Sequence, residues 1–233
     1  MNPATLEGKV IEAVVLDLDG TLIHTTVDFP RMRERLLAEL GTRGVPPPFI
    51  DPRDTIVSNV ARAIGFLRSA GRGEEETELR QRVGRLMDLT EMEKVSETMP
   101  VEGAGACLAA LKGRGLRTAV LTRGSRRYAT EALRYADLDG FDAMVCRDDH
   151  PEEEAKPNGK AMERVALLLG SSPEKCLVVG DHLIDLTCAR ACSAPFVGVL
   201  TGSFRREDWE ANGRPRIIDS VADLPALLGI GKG

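Results

Sequence analysis

The sequence predicts an α/β protein: a doubly wound parallel sheet with an all-helical domain inserted after its first strand. Three observations carry this. A β-branched apolar run near the N-terminus stops at an acidic residue, residues 22–96 then repeat their apolar positions with a helical period, and from Met99 onward strand-like and helix-like segments alternate.

Val10–Leu16 reads as the first, buried strand, ending at Asp17. Met32, Leu36, Leu37 and Leu40 predict a helix over 31–40, followed by a Gly/Pro-rich loop over 41–48. Asp51 and Pro52 read as N-cap and first residue of a second helix carrying Ile56, Val57, Val60, Ile64 and Leu67, which breaks at Gly71 and Gly73. Residues 74–97 continue the pattern through Leu79, Val83, Leu86 and Val95, with acids in the first turn where the helix dipole favours them. Helices are then predicted over 104–111, 126–136 and 160–169 and after Asp185, and strands over 117–121, 143–146, 176–179 and 196–199. The expected organisation is a core of 1–21 with 97–233, and a helical domain of 22–96 placed to overhang the carboxyl ends of the strands, where open α/β sheets bind ligands.

Composition excludes several classes. The 233 residues are 42% hydrophobic and 29% charged, the balance of an ordinary globular chain. A net charge of −5 provides no global field for phosphate backbones, and six Phe, two Tyr and one Trp are too few for a stacking platform, so nucleic acid is not an expected partner. The longest apolar stretch, Ala194 to Leu200, is far short of the roughly 20 residues of a membrane helix. The N-terminal segment has no secretory apolar run, and a cytoplasmic location is the expectation. Cys107, Cys146, Cys176, Cys188 and Cys192 are scattered and form no Cys-x-x-Cys pair, as buried thiols in a reducing compartment do.

The chemistry collects at strand ends. Asp17-Leu18-Asp19-Gly20-Thr21 follows the first strand, and an extended backbone through Leu18 turns both carboxylates to one side. Like charges this close require a cation or a shared proton, and a hard ion such as Mg²⁺ answers the first need. A calcium loop is excluded by spacing, because its glycine belongs at the sixth position, where Leu22 stands. At the end of strand 117–121, Thr122-Arg123-Gly124 offers a hydroxyl and turn N–H groups, which suit either an anion cradle or a simple helix cap. Strand 176–179 ends at Gly180-Asp181, with Asp185 four residues on, more carboxylate than capping needs. Pro157 disfavours a helical Lys156 and so keeps that lysine in a loop able to reach the same edge.

This order of residues resembles the haloacid dehalogenase superfamily of phosphohydrolases over essentially all of residues 10–200. Asp17, Asp19 and Thr21 match its first motif, Thr122 its second, Lys156 its third, and Gly180, Asp181 and Asp185 its fourth. The helical insertion resembles the family's first type of cap, as in phosphoglycolate phosphatases and the mutase-like members. The resemblance implies Asp17 as nucleophile and Asp19 as general acid and base. It further implies Mg²⁺ on Asp17, Asp19 (through its carbonyl) and Asp181 with Asp185 in support, and phosphate held by Thr21, Thr122, Gly124 and Lys156. Arg123, where the family often has Asn, reads either as a substrate contact or as a solvated side chain. His24 reads as a substrate contact or a hinge residue, and His182 as a residue at the pocket edge.

The expected activity is therefore Mg²⁺-dependent hydrolysis of a small phosphorylated metabolite, with the cap closing over the ligand. A phosphomutase using the same aspartyl phosphate is the enzymatic alternative, and a non-catalytic phosphate and metal switch the other. Dehalogenation is disfavoured because it needs neither Asp19 nor Asp181. Substrate identity and oligomeric state are not legible in the sequence.

Overall fold

In the computed structural model, which describes residues 3–230, the elements run β1 (Thr5–Leu6), β2 (Lys9–Val10), β3 (Ala13–Leu16), β4 (Ile23–His24), α1 (Phe29–Thr42), α2 (Ile56–Ser69), α3 (Glu76–Met92), β5 (Met99–Pro100), α4 (Ala104–Gly113), β6 (Arg117–Leu121), α5 (Arg126–Tyr135), β7 (Ala143–Val145), α6 (Gly159–Leu168), β8 (Cys176–Gly180), α7 (Leu183–Ala191), β9 (Phe196–Val199), α8 (Arg206–Ala211), β10 (Arg216–Ile218) and α9 (Leu224–Leu227). Six strands form one sheet in the order β10-β9-β8-β3-β6-β7, and every pairing in it is parallel. The predicted class, a doubly wound parallel sheet with an inserted helical domain, is the observed one.

Register sets the working edge. Leu16 on the central β3 stands opposite Val120 of β6 and Val179 of β8, so the residues just beyond all three strands emerge together at the carboxyl end of the sheet. The Asp17 N–H extends the ladder by donating to the Val179 carbonyl at 2.9 Å, and the Thr122 N–H does the same to Val145 at 3.0 Å. Alternation then sorts the side chains: Ala13, Val15, Ala119, Leu121, Cys176 and Val178 pack with α6, α7 and Trp209, while Val14, Leu16, Val120, Leu177 and Val179 are buried on the opposite face. A sheet covered on both faces is what continuous apolar strands require.

The chain divides into two compact units. One comprises the sheet and its helices, running to Thr25 and resuming at Ser96, and the other is Thr26–Val95. In the first, Ile23 and His24 pair antiparallel with Pro100 and Met99, so a two-residue ladder closes the base of the excursion. The second has its own core, in which Leu36, Leu40, Ala63, Ile64, Leu67, Leu79 and Val83 come together from α1, α2 and α3.

Several boundaries differ from the sequence expectation. The first strand is shorter than 10–16: Val10 belongs to an exposed hairpin with Thr5–Leu6, and Glu12 turns outward to Lys175 and Ser171. Asp51 does not cap α2, because its carboxylate accepts from Arg53 and its backbone is bound by the Asn59 side chain; Thr55 caps instead, accepting from the Ser58 N–H at 3.1 Å. Asn59, not Val57, is consequently the buried residue on that turn. Residues 74–97 break into α3 flanked by single 3₁₀ turns, and Ile23–His24 is strand within the stretch read as all-helical. Helix α7 starts at Leu183, one turn earlier than expected, and α8, β10 and α9 were not anticipated.

Trp209 of α8 is fully buried, its ring 5.6 Å from Phe196 and 4.9 Å from Phe204, and its N–H donates to the Val199 carbonyl at 3.3 Å. Replacing it with alanine leaves a large void beside β9. Trp209→Ala is expected to lose about 3–5 kcal/mol of stability, read by urea unfolding followed by far-ultraviolet circular dichroism; a loss below about 1 kcal/mol would mean that α8 does not brace the sheet.

Candidate active site

Four loops at the carboxyl edge of the sheet converge on a small group of charges. The first follows β3. Its backbone tightens at once, with the Thr21, Leu22 and Ile23 N–H groups all directed to the Leu18 carbonyl, and Gly20 adopts a left-handed φ of 79° that side chains disfavour. Space forbids a side chain there as well: a Cβ on Gly20 would lie 2.7 Å from Asp181 Oδ2.

The second loop brings Lys156. It follows a 3₁₀ turn over Glu152–Glu154 and precedes Asn158, which caps α6. The lysine is 4% exposed, and its ammonium donates to Asp17 Oδ1 and, at 2.7 Å, to Asp185 Oδ1. Burial works against its charge, but the adjacent Asp17 and Asp185 carboxylates win and hold its pKa above the ordinary lysine value. It is a fixed positive charge.

Asp181 and Asp185 come from the third loop, between β8 and α7. Asp185 lies in the first turn of α7, where Oδ2 accepts from the His182 N–H at 3.2 Å; His182 itself caps the helix, its Nδ1 accepting from Ile184 N–H. The His182 ring rests 4.9 Å from Phe204, and the residue's backbone N–H holds Asp185 in the cluster. Asp181 Oδ2 accepts from the Ser203 N–H at 2.5 Å, a contact from the loop after β9, where a Cβ on Gly202 would fall on the same carboxylate. Thr201 ties the two ends of this assembly by donating its hydroxyl to the Gly20 carbonyl at 2.6 Å.

The carboxylates of Asp17, Asp181 and Asp185 place one oxygen each within 4.8 Å of one another. Burial pushes Asp17 well above the usual carboxylate pKa, with Asp185 and Asp181 adding to the rise and Lys156 opposing it, and burial likewise raises Asp181. Three carboxylates facing one ammonium lack positive charge. Hard oxygen donors, close approach and a charge deficit together fit a divalent cation.

The remaining expected residues sort as follows. Thr122 is buried at the end of β6, its Oγ1 accepting from the Gly124 N–H at 3.0 Å. The Asp19 carboxylate stands outside the three-acid cluster and accepts from the Tyr128 hydroxyl at 2.6 Å. Thr21 is completely buried, its hydroxyl without a partner among the described residues. Arg123 is engaged in the protein itself, its guanidinium donating to Glu152 and to the Lys156 carbonyl. His24 is exposed on β4. Sequence reasoning missed Tyr128 and the Thr201–Ser203 turn. Both had a signal: a tyrosine in the first turn after a functional strand needs a partner for its hydroxyl, and β9 ends at the same edge as its neighbours.

Comparison with known proteins agrees with this geometry. The haloacid dehalogenase-like hydrolase family matches residues 11–193. A phosphoglycolate phosphatase of Thiobacillus denitrificans is 30% identical over 222 residues, covering 93% of this chain and 92% of its own. Another, from Nitrosospira multiformis, is 31% identical over 191 residues, with coverage of 79% and 81%. The crystal structure of a hydrolase from Pseudomonas syringae shares the fold with a TM-score of 0.66 at 24% identity, covering 94% of this chain and 99% of that one. Among the described residues no helix is long and apolar enough to cross a membrane.

The crowding of acids makes an opposing pair of effects measurable. Asp181→Asn removes a buried like charge, so the metal-free protein should gain about 0.5–2 kcal/mol, while the rise in melting temperature on adding Mg²⁺ or Mn²⁺ should disappear. A variant that still responds fully to the metals would show that Asp181 is not a ligand.

Proposed function

We infer the reaction from one premise: the chain belongs to the haloacid dehalogenase-like hydrolases. The activity we propose is Mg²⁺-dependent hydrolysis of the phosphate monoester of a small metabolite, through an aspartyl phosphate on Asp17. The observation that carries it is the buried ammonium of Lys156 shared between Asp17 and Asp185, with Asp181 alongside. That arrangement holds a carboxylate nucleophile beside an ammonium, in a site that would receive an anionic substrate once a divalent cation supplies the missing positive charge.

In the first half-reaction a carboxylate oxygen of Asp17 forms a bond to phosphorus as the bond from phosphorus to the ester oxygen breaks. The bonding pair leaves with the ester oxygen, which takes a proton from Asp19 and departs as an alcohol. Water then attacks phosphorus, gives a proton to Asp19 and releases inorganic phosphate, returning Asp17 as a carboxylate. Lys156 orients Asp17 and offsets charge on the transferring group, and Thr122, at the end of β6, would receive an equatorial oxygen of that group. Mg²⁺, held by Asp17, Asp181 and Asp185 with the Asp19 carbonyl, would supply Lewis-acid charge at the phosphoryl oxygens.

The names of the relatives make phosphoglycolate the first ester to try. In a chain with a net charge of −5 the charge that would receive such an anion is local, Lys156 together with a bound Mg²⁺.

Phosphate release should be measured from a panel of small esters that includes phosphoglycolate, with Mg²⁺ and with chelator. The expected result is Mg²⁺-dependent release that Asp17→Asn lowers by a factor on the order of 10³ or more. Release from no ester, or release indifferent to Asp17, would overturn the phosphatase reading; transfer of the phosphoryl group to a sugar hydroxyl in place of water would make it a mutase.

A further inference from the structure

We propose that Tyr128 is a positioning residue for this reaction: its hydroxyl fixes the Asp19 carboxylate so that the transferable proton is carried by Oδ2. The proposal rests on the reading of Asp19 as general acid and base given above.

Tyr128 is completely buried, and its hydroxyl donates to Asp19 Oδ1 at 2.6 Å across 109 residues of sequence. Packing alone would be served by phenylalanine; a buried phenol needs a partner, and this one finds the acid. Its placement is rigid. Ser125 caps α5 by accepting from the Tyr128 N–H at 3.2 Å, which fixes the first turn of the helix. Gly124 clears the path, since a Cβ there would lie 2.8 Å from the tyrosine ring. The strand end that presents Thr122 thus also presents Tyr128.

The consequence follows from hydrogen-bond bookkeeping. With the Tyr128 hydroxyl donating to Oδ1, that oxygen is the less favourable place for a proton, so protonation of Asp19 is directed to Oδ2. When the phosphorus–ester oxygen bond breaks, the leaving oxygen takes the bonding pair and the Oδ2 proton; Asp19 becomes a carboxylate, and the phenol proton stays on Tyr128. The remaining O–H···O⁻ contact is then charge-assisted and stronger than before transfer. When water attacks, its proton returns to Oδ2. Tyr128 neither gains nor loses a proton and touches no reacting atom.

The test compares wild type and Tyr128→Phe on phosphoglycolate, or on whichever alkyl phosphate wild type turns over fastest, and on p-nitrophenyl phosphate, whose phenolate leaves without a proton. Tyr128→Phe should lower kcat/KM, which reports the steps up to departure of the leaving group, by about tenfold to a hundredfold for the alkyl ester, and change kcat/KM for p-nitrophenyl phosphate by less than about threefold. Placed on Asp19→Asn, the same substitution should add less than about a twofold further loss. Melting temperature confirms that each variant is folded. An equal loss of kcat/KM on both esters, an additive loss on Asp19→Asn, or no loss at all would overturn the positioning role while leaving the phosphatase reading intact. A wild type that releases phosphate from neither ester would overturn that reading, and this inference with it.

Discussion

Everything at the carboxyl edge of the sheet is arranged around one ammonium lodged between two carboxylates. Lys156 is almost fully buried, and a lysine in that position is tolerated only with anions to hand; Asp17 and Asp185, in turn, crowd with Asp181 and need the lysine. Neither side of the arrangement is stable without the other. The constraint reaches outward from there. Register between β3 and β8 brings Asp17 level with the end of β8, and the early start of α7 turns Asp185 inward. Arg123, reaching from the end of β6 to Glu152 and the Lys156 carbonyl, holds the lysine loop against the sheet.

The parts of this site that a sequence exposes are those set by local geometry. Asp17, Asp19, Thr122 and Asp181 follow apolar runs that can only be buried strands, so their common edge is readable before any contact is known. Lys156 is legible because a proline follows it. What is illegible depends on lateral neighbours. Nothing local tells that Arg123 will be consumed by groups 29 and 33 residues away, or that Tyr128 will meet Asp19. Helix starts fail for a related reason: Asp51 has the right chemistry for a cap, but Arg53 and Asn59 compete for it, while His182 caps α7 without being an ordinary capping residue. The last strand, β10, is only three residues long and exposes Arg216, too little alternation to stand out.

The helical unit shows the same division between pattern and partner. Its apolar spacing foretells a core, and Leu36, Leu40, Leu67 and Leu79 supply it. Its many charges form pairs, half-buried ones such as Arg43 with Glu39 and exposed ones such as Arg53 with Asp51, and the exposed pairs add little to stability. They do explain why a region so rich in arginine carries no concentrated positive field.

The hydroxyl of Thr201 on the Gly20 carbonyl has a bearing on how the protein is made. The central strand β3 is synthesised early, yet both strands that flank it come from later in the chain, and the clamp on Asp181 waits for Gly202 and Ser203. A nascent chain emerging from the ribosome therefore carries Asp17 long before the groups that surround it in the folded protein exist. The helical unit draws its buried core from Leu36 to Val83, all of it synthesised before either strand that flanks β3. A chain truncated before β8 accordingly holds Asp17 without Asp181 and Asp185, the carboxylates that crowd it in the folded protein.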